Sequence, residues 1–294
     1  METGGTKVVC AIGTGPDDVR ARLRIPTGEP SATLREAVAF FRQHPTRVAA
    51  LGIASFGPLD LDPHSRTFGF ITTTPKRGWA HTDVAAPFRT ALGVPVVVDT
   101  DVNGAALAEH VWGAARDVDP IVYVTVGTGI GGGGVVHGRL LHGLVHPEMG
   151  HLRIPHDRAA DPFPGVCPYH GDCLDGLASA RALAERWGAP PETLPPDHRA
   201  WDLEAEYLAL GLVSIIGVLS PRRVVVGGGV LAHRPLLPRI RRRLVELLAG
   251  YIQARELVSD VDTYIVSPAL GADAGVLGAL ALAHTGLAAR RSEA

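Results

Sequence analysis

The chain has little of several features that define whole classes of protein. It contains three cysteines in 294 residues, too few for the disulfide framework of a small secreted domain. It has no run of about 18 uninterrupted apolar residues, the length that a membrane-spanning helix needs. Its start also lacks the basic and apolar regions of a secretory signal. We therefore expect a cytoplasmic protein with no membrane partner.

An excess of charge of one sign is also missing. The chain has 28 Lys and Arg against 30 Asp and Glu, a formal net charge of -2, and so lacks a polycation's attraction for nucleic acid. We interpret the basic cluster of Arg239 and arginines 241–243 as the solvated face of an amphipathic helix. The sequence predicts no nucleic-acid partner, and a small anionic ligand would have to be held by local dipoles.

What is present is an alternation of strand-length apolar runs with amphipathic stretches, which is typical of α/β proteins. Because 294 residues exceed a typical single domain, we predict a small α/β lobe over residues 1–115 and a large one over 116–294. The final helix is expected to pack back on the small lobe. The predicted strands are 7–12, 21–25, 47–54, 67–73, 94–99, 121–126, 223–226 and 263–266, and the predicted helices are 33–41, 103–113, 201–219, 237–252 and 273–283.

Two of the three cysteines lie in one short segment with histidine. His151, Cys167, His170 and Cys173 offer four imidazole and thiolate ligands, the set that suits a tetrahedral zinc ion. Four protein ligands leave no open position for water, so the predicted zinc is structural. It would fix the loop and the carboxylate of Glu148, three residues before His151. His156 competes with His151 as the fourth ligand, and spacing alone does not decide between them.

Three glycine-containing turns follow predicted strands or precede them. They are Gly4-Gly5-Thr6-Lys7 at the start, the glycine-rich run 127–132 and Gly227-Gly228-Gly229. Glycines let backbone N–H groups approach an anion closely, and threonine hydroxyls add donors. None of the turns matches a Walker or dinucleotide fingerprint, but three in one chain favour nucleotide binding. Gly229 alternatively allows close packing only.

Carboxylates follow the predicted strand 94–99. Asp99-Thr100-Asp101-Val102-Asn103 stands at a strand-to-helix junction, on the edge where open α/β sheets bind ligands. A carboxylate there can act as general base for the attack of a hydroxyl on phosphorus. The alternative is that Asp99 or Asp101 caps the helix.

Together these residues resemble the ROK family of sugar kinases and repressors over nearly the whole chain, and most closely its bacterial zinc-containing fructokinase branch. The matching segments are residues 2–7, Ser55-Phe56-Gly57-Pro58, Thr74-Pro75-Lys76 with Gly78-Trp79, residues 101–106, residues 127–131, His146-Pro147-Glu148-Met149-Gly150-His151, residues 167–173 and residues 227–229.

The resemblance implies an actin-like (ribonuclease H-like), duplicated two-lobe fold that binds ATP and a hexose in the cleft between the lobes, and a homodimer. It implies that Asp101 is the catalytic base. The implied ATP-binding residues are Gly4, Gly5, Thr6, Lys7, Thr128, Gly129, Gly228, Gly229 and Gly271. The implied sugar-binding residues are Asn103, Glu148, His151, Gly57 and Pro58. Glu2 stands where many members of the family have Asp, and keeps a role linked to Mg²⁺.

The implied reaction is phosphorylation of a hexose by ATP, with fructose as the expected substrate. Glucokinase or mannokinase activity is the alternative within the family, and a catalytically silent sugar-binding regulator is the alternative outside enzymes. The family's repressors carry an N-terminal DNA-binding domain, whereas Lys7 here already lies in the first predicted strand. A kinase is therefore expected in preference to a repressor.

Overall fold

The computed structural model describes residues 1–233 and 235–292, which form two compact units. The first unit comprises Met1–Asp117, Gly133–Pro147 and the C-terminal segment from Ala269, and the second comprises Val118–Gly132 and Glu148–Pro268. The predicted lobe division, 1–115 and 116–294, stays a prediction. Residues 133–147 belong to the first unit, which differs from the predicted boundary, and the C-terminal helix also belongs to the first unit.

Strands lie in both units and alternate with helices along the chain. They are β1 (Glu2–Thr3), β2 (Lys7–Gly15), β3 (Asp18–Pro26), β4 (Leu51–Ser55), β5 (Phe70–Ile71), β6 (Thr82–Asp83), β7 (Val96–Thr100), β8 (Ile121–Val126), β9 (Ile130–Val136), β10 (Arg139–Leu140), β11 (Arg223–Gly227) and β12 (Ile265–Val266).

The α-helices show the same alternation. They are α1 (Pro30–Gln43), α2 (Ala86–Leu92), α3 (Asp101–Trp112), α4 (Leu174–Ala178), α5 (Ala180–Trp187), α6 (Ala200–Leu219), α7 (Leu236–Leu248), α8 (Arg255–Val258), α9 (Val261–Tyr264) and α10 (Ala274–Ser292). Within residues 1–233 and 235–292, none of the helices combines the length and apolar character that crossing a bilayer requires.

The sheet of the first unit has the strand order β3-β2-β1-β4-β7. Strand β2 runs antiparallel to β1 and β3, whereas β1, β4 and β7 are parallel. Because side chains alternate across a strand, Val8 and Cys10 of β2 join the apolar core that includes α1, while Val9 and Ala11 pack with Val276 of α10. Helices therefore cover both faces, and Cys10 is a core residue.

Small residues allow α10 to approach the sheet and α3 closely. A Cβ atom on Gly52 of β4 would lie 1.9 Å from the carbonyl oxygen of Ala279. A Cβ on Gly278 would lie 2.3 Å from the backbone of Gly104 in α3. Helix α10 thus packs directly on β4 and α3, which fixes the start of α3 at the carboxyl end of β7.

The second sheet has the order β10-β9-β8-β11-β12 and repeats the pattern of the first. A hairpin segment occupies one side, and β8, β11 and β12 are parallel. The apolar run Ile121–Val126 forms β8 with the predicted limits. The chain passes from the second unit to the first inside β9, between Gly132 and Gly133. The repeated strand order confirms a duplicated α/β architecture.

Several predicted limits were wrong for local reasons. The strand predicted over 47–54 begins only at Leu51, where parallel pairing with Val96 starts. The strand predicted over 67–73 shrinks to β5, because Asp60 accepts hydrogen bonds from the hydroxyls of Ser65 and Thr67 and holds the preceding residues in turns. Residues 263–264 end α9 instead of beginning a strand, and α7 ends at Leu248 instead of residue 252.

Candidate active site and metal centre

The first predicted phosphate turn joins β1 to β2. The N–H of Gly4 donates to the carbonyl oxygen of Lys7 at 2.8 Å, and the hydroxyl of Thr27 donates to the carbonyl oxygen of Gly4 at 2.7 Å. Gly5 and Thr6 are exposed, and a Cβ on Gly5 would meet nothing within 4 Å. The turn is therefore fixed at its ends and open at its tip, the geometry that backbone recognition of an anion needs.

The second turn joins β8 to β9 at the matching place in the other sheet. Within this turn the N–H of Gly127 donates to the carbonyl oxygen of Gly129 at 2.9 Å. Thr128 and Gly129 are exposed. Asp175 of α4 anchors the exit of the turn, since its carboxylate accepts the N–H of Ile130 at 2.8 Å. Gly129 must stay small, because a Cβ there would lie 2.9 Å from that carboxylate.

Three further glycines that the resemblance implies for ATP binding, Gly228, Gly229 and Gly271, lie after strands of the second sheet. Gly228, after β11, has φ +98°, and a Cβ there would lie 2.3 Å from the carbonyl oxygen of Val126. Packing between strand ends therefore requires glycine at 228. Gly229 has open space around it, so close packing does not explain that glycine. In the other unit, Gly271 has φ +56°, is exposed and precedes α10.

Asp101 is the first residue of α3, directly after β7. The helix cap is Thr100, whose hydroxyl oxygen accepts the N–H of Asn103 at 3.1 Å, so the alternative that Asp99 or Asp101 caps the helix was wrong. Desolvation by burial, with a further contribution from the carboxylate of Glu2, raises the pKa of Asp101 to about 6. A carboxyl group with a pKa near the working pH suits a general base.

Beside Asp101 lies a hydrogen-bond network, formed by the buried Asp99 and Asn103 with the exposed His142, that was not predicted from the sequence. Asp99 is 3% exposed and accepts hydrogen bonds from the side-chain nitrogens of Asn103 and His142, each at 2.8 Å. The hydrogen bond to Asp99 raises the pKa of His142. Asn103, predicted to bind sugar, is itself fully buried, and its side-chain oxygen accepts the N–H of Gly134 at 3.1 Å.

We expect Asn103→Ala to destabilise the protein by about 2–3 kcal/mol, because it leaves the buried N–H of Gly134 without its acceptor and takes a donor from Asp99. Urea unfolding of the variant and the wild type measures the difference. Substitution of the exposed Glu192, which has an ordinary backbone conformation, by Ala serves as the control. A loss below about 0.5 kcal/mol for Asn103→Ala would show that the network does not hold this junction together.

Gly57 and Pro58 form part of a turn after β4. The carbonyl oxygen of Pro58 accepts the N–H of Thr72 at 2.8 Å. The Nε2 atom of His146, a buried side chain, accepts the N–H of Leu59 at 2.9 Å. The turn is thereby held from two sides, and a Cβ on Gly57 would lie 3.4 Å from the ring of His146.

The four predicted metal ligands converge in the second unit. Their ligand atoms, from His151, Cys167, His170 and Cys173, lie within 4.8 Å of one another. Nδ1 of His151 is 3.4 Å from Sγ of Cys173, and Sγ of Cys167 is 3.6 Å from Nδ1 of His170. Ligand atoms around a tetrahedral zinc stand about 3.3–3.8 Å apart, given zinc bonds of about 2.0–2.3 Å. The donor types and spacing therefore fit such an ion.

His156, the alternative fourth ligand, lies outside this cluster. Its Nε2 atom is 2.9 Å from the carbonyl oxygen of Asp161, and its Nδ1 atom is 3.3 Å from the carboxylate of Asp172. Both ring nitrogens are thus engaged elsewhere, whereas His151 presents Nδ1 to the two cysteines. The structure favours His151 as the fourth donor.

His151 also connects the cluster to Glu148. While its Nδ1 atom lies among the thiols, its Nε2 atom is 4.0 Å from the carboxylate of Glu148. One imidazole therefore has a metal-facing edge and a carboxylate-facing edge. An ion bound by the cluster would fix the ring and, through it, the neighbourhood of Glu148.

The arginine cluster on α7 is occupied by acidic partners. Arg239 pairs with Asp202 at 2.8 Å, Arg241 pairs with Asp262 at 2.9 Å, and Arg243 pairs with glutamates. These cations neutralise charges of the protein itself. Within this cluster only Arg242 is exposed, whereas the side chains of Arg239 and Arg241 are 23% and 16% exposed. The predicted solvated helix face is therefore only partly right, because ion pairs hold most of the cluster against the protein.

Comparisons with known proteins show which proteins this chain is similar to. A fructokinase of Zymomonas mobilis is 46% identical over 292 residues, which cover 96% of this chain and 95% of that protein. The ROK hexokinase of Thermus thermophilus has a similar structure, with a TM-score of 0.78, 27% identity and 98% of each chain covered. The inorganic polyphosphate/ATP-glucomannokinase of Arthrobacter sp. strain KM has a TM-score of 0.62 and 26% identity over 95% of this chain and 94% of its own.

These structural neighbours confirm the actin-like fold class that the sequence predicted. The family model described as the ROK family matches residues 1–286. A match over this length, together with the 46% identity to the fructokinase, leaves one conclusion: the chain belongs to the ROK family.

Proposed function

We propose that the protein is an ATP-dependent hexose kinase that converts fructose to fructose 6-phosphate. The relative from Zymomonas mobilis is named a fructokinase, and the structural neighbour from Arthrobacter is named for its use of ATP. The observation that carries the proposal is Asp101, a carboxylate of raised pKa at the start of α3, electrostatically coupled to Glu2 of the strand that leads into the first glycine turn.

In the proposed reaction Asp101 accepts the proton of the C6 hydroxyl of fructose as that oxygen attacks the γ-phosphorus of ATP, and the bond to the β,γ-bridging oxygen breaks as ADP leaves. The N–H of Gly4 closes the first turn, and the exposed N–H groups of Gly5 and Thr6, with Lys7, hold phosphates in the first unit. Thr128 and Gly129 do so in the second. Gly228, Gly229 and Gly271 border the adenosine. Such positioning and electrostatic stabilisation provide most of the rate increase in phosphoryl transfer.

Glu148, His151, Gly57 and Pro58 are the proposed sugar contacts. Asn103 is proposed to support the sugar site by ordering Asp99 and His142, since its own amide is bonded within the protein. Mg²⁺ bound with ATP would neutralise phosphate charge. The carboxylate of Glu2, beside Asp101, is an oxygen ligand of the type that Mg²⁺ prefers.

We propose that the cluster of His151, Cys167, His170 and Cys173 holds one structural zinc ion. The donor set and the interatomic spacing support this choice. The ion would contribute folding stability and rigidity in the loop, because all four positions around it are filled by protein. The residues of the loop then keep His151 and Glu148 in place for the sugar.

We also propose that the enzyme acts in the cytoplasm as a homodimer and takes no nucleic-acid partner. Ion pairing of the α7 arginines supports the absence of a nucleic-acid surface. Light scattering of the purified protein measures the oligomeric state. A mass of one chain, 30.9 kDa, at micromolar concentration would contradict the dimer.

An ADP-release assay with a panel of hexoses tests the proposed activity and its substrate. We expect the highest kcat/KM with fructose, a lower value with mannose and a poor one with glucose. Fructose and glucose differ at one end of the sugar, and a carboxylate held rigidly by Pro147 leaves a hydroxyl or acceptor unpaired with the wrong hexose. Such a mismatch is worth about 1–3 kcal/mol.

The assay separates three outcomes. Equal or higher efficiency with glucose would contradict the fructose assignment and leave the kinase in place. ADP release with none of the hexoses, from protein that still binds fructose, would identify a silent sugar-binding regulator.

A further inference from the structure

Glu109 is a buried carboxylate that none of the roles above uses. It lies in the last turn of α3, the helix that begins with Asp101, and it is 0% exposed. Among the described residues it forms no salt bridge with a cation. A fully buried carboxylate is expensive unless hydrogen bonds compensate it, so its bonding partners indicate why it is there.

The partners of Glu109 are backbone N–H groups from two separate segments. Oε2 accepts the N–H of Ala114 at 2.6 Å and the N–H of Ala269 at 3.1 Å, and Oε1 accepts the N–H of Leu270 at 2.9 Å. Both oxygens act only as acceptors, which is the behaviour of an ionised carboxylate. Gly113 lets the chain pass close by, since a Cβ there would lie 2.0 Å from Oε2.

Two of these bonds hold the turn that leads into α10. Ala269 and Leu270 directly precede Gly271, whose φ of +56° bends the exposed backbone before the helix starts. A few residues on, a Cβ on Gly275 would lie 2.5 Å from the carboxylate of Glu2, so the start of α10 also packs beside the strand before the first glycine turn. The same turn is therefore tied to α3 and lies near the proposed phosphate site.

We infer that Glu109 is a positioning residue for the nucleotide. Its carboxylate fixes the backbone of Ala269 and Leu270, so that Gly271 and the start of α10 are held in register with α3. Asp101 and Glu109 are eight residues apart, about 12 Å along a helix that rises about 1.5 Å per residue. One rigid helix thereby carries the general base at its start and the anchor of the adenosine-bordering turn near its end. This inference rests on the proposed function, because it takes ATP as the ligand of that turn.

The test compares Glu109→Gln with Glu204→Gln. Glutamine keeps the size of Glu109 but replaces one acceptor oxygen by a donor, so at least one buried N–H of the turn loses its acceptor. Glu204 is a matched control in the second unit: it is 1% exposed, and its carboxylate oxygens have no hydrogen-bond partner among the described residues. Calorimetry measures the Kd of a non-hydrolysable ATP analogue without sugar, and steady-state assays measure the KM of fructose.

We expect Glu109→Gln to raise the Kd of the ATP analogue about ten-fold, because a turn released from the carboxylate is ordered only in part of the free molecules and must be ordered when the nucleotide binds. The KM of fructose should change less than two-fold. Backbone amides 269 and 270 should also exchange hydrogen faster. Glu204→Gln should leave the nucleotide Kd within two-fold. An unchanged nucleotide Kd in Glu109→Gln, or an equal loss for nucleotide and fructose, would overturn the inference.

If Glu109→Gln does not fold, Glu109→Asp serves in its place, since it keeps the charge but is one methylene too short to reach the turn. Failure of both variants to fold would make Glu109 a folding residue and overturn the inference. The wild-type protein separates the two proposals. A wild type that does not bind the ATP analogue contradicts the kinase itself, whereas a wild type that binds it with an unaffected Glu109→Gln contradicts only the positioning role.

Discussion

Asp101→Asn is expected to lower kcat with ATP and fructose by about 10²- to 10⁴-fold, the usual effect of losing a general base. The amide keeps the size of the side chain but cannot accept the proton of the attacking hydroxyl. The ATP-analogue Kd and the melting temperature should stay near the wild-type values, because the role of Asp101 is proton transfer. Steady-state kinetics, calorimetry and thermal unfolding measure the three quantities.

The dependence of kcat/KM on pH is an independent test of Asp101 as the general base. Burial and the charge of Glu2 raise the pKa of Asp101 to about 6, and only the deprotonated carboxylate acts as a base. In the wild type, kcat/KM should therefore rise with pH through about 6 and level off above it. Asp117→Asn, at an exposed position, is the control and should behave as wild type. Turnover of Asp101→Asn within about three-fold of wild type would show that another group is the base.

Loss of the proposed zinc ion should lower the melting temperature and raise the KM of fructose, the second largest effect expected here. We expect purified protein to contain one zinc per chain, and Cys167→Ser or Cys173→Ser to lose it. Because a closed site contributes its binding energy to folding, the melting temperature should fall. The KM of fructose should rise about ten-fold or more, as for residues that orient a metal site, and by more than the KM of ATP, since His151 lies beside Glu148. Elemental analysis, calorimetry and kinetics measure these changes.

Cys10→Ala is the matched control for the loss of a thiol. Cys10 lies in the core of the first unit, so this variant should keep its zinc and its fructose KM even if packing lowers its melting temperature. Metal-free Cys167→Ser with unchanged melting and unchanged fructose KM would contradict a structural metal that supports the sugar site.

The sequence predicted well those features whose signal is local. Strand β8 coincides with the apolar, β-branched run Ile121–Val126. The side chains of Cys167, His170 and Cys173, which are proposed as metal ligands, are close neighbours along the chain and cluster in the structure. Alternation of apolar and amphipathic segments was sufficient for the α/β class, because each strand and helix carries its own periodicity, whereas the actin-like fold was implied by the resemblance to the ROK family. The strand before Asp101 and the helix after it were placed within two residues.

Features that depend on distant partners were not predictable from one sequence. Asp99 bonds to His142 and Glu109 bonds to Ala269, pairs separated by 43 and 160 residues. The sequence around Asn103 resembles a sugar-binding motif. In the structure, however, the side chain of Asn103 is buried, because α3 packs against residues 134 and 141. The choice between His151 and His156 was equally a matter of three-dimensional placement, because the ring nitrogens of His156 are engaged by Asp161 and Asp172.

The transfer of phosphate from ATP to fructose is the central claim, and product identification tests it most directly. The purified protein is incubated with Mg-ATP and fructose, and the products are followed by ³¹P NMR and mass spectrometry, with Asp101→Asn as the control. The account predicts equal amounts of ADP and fructose 6-phosphate from the wild type and almost none from the variant. ADP with free phosphate and no phosphorylated sugar, or equal product from Asp101→Asn, would contradict it.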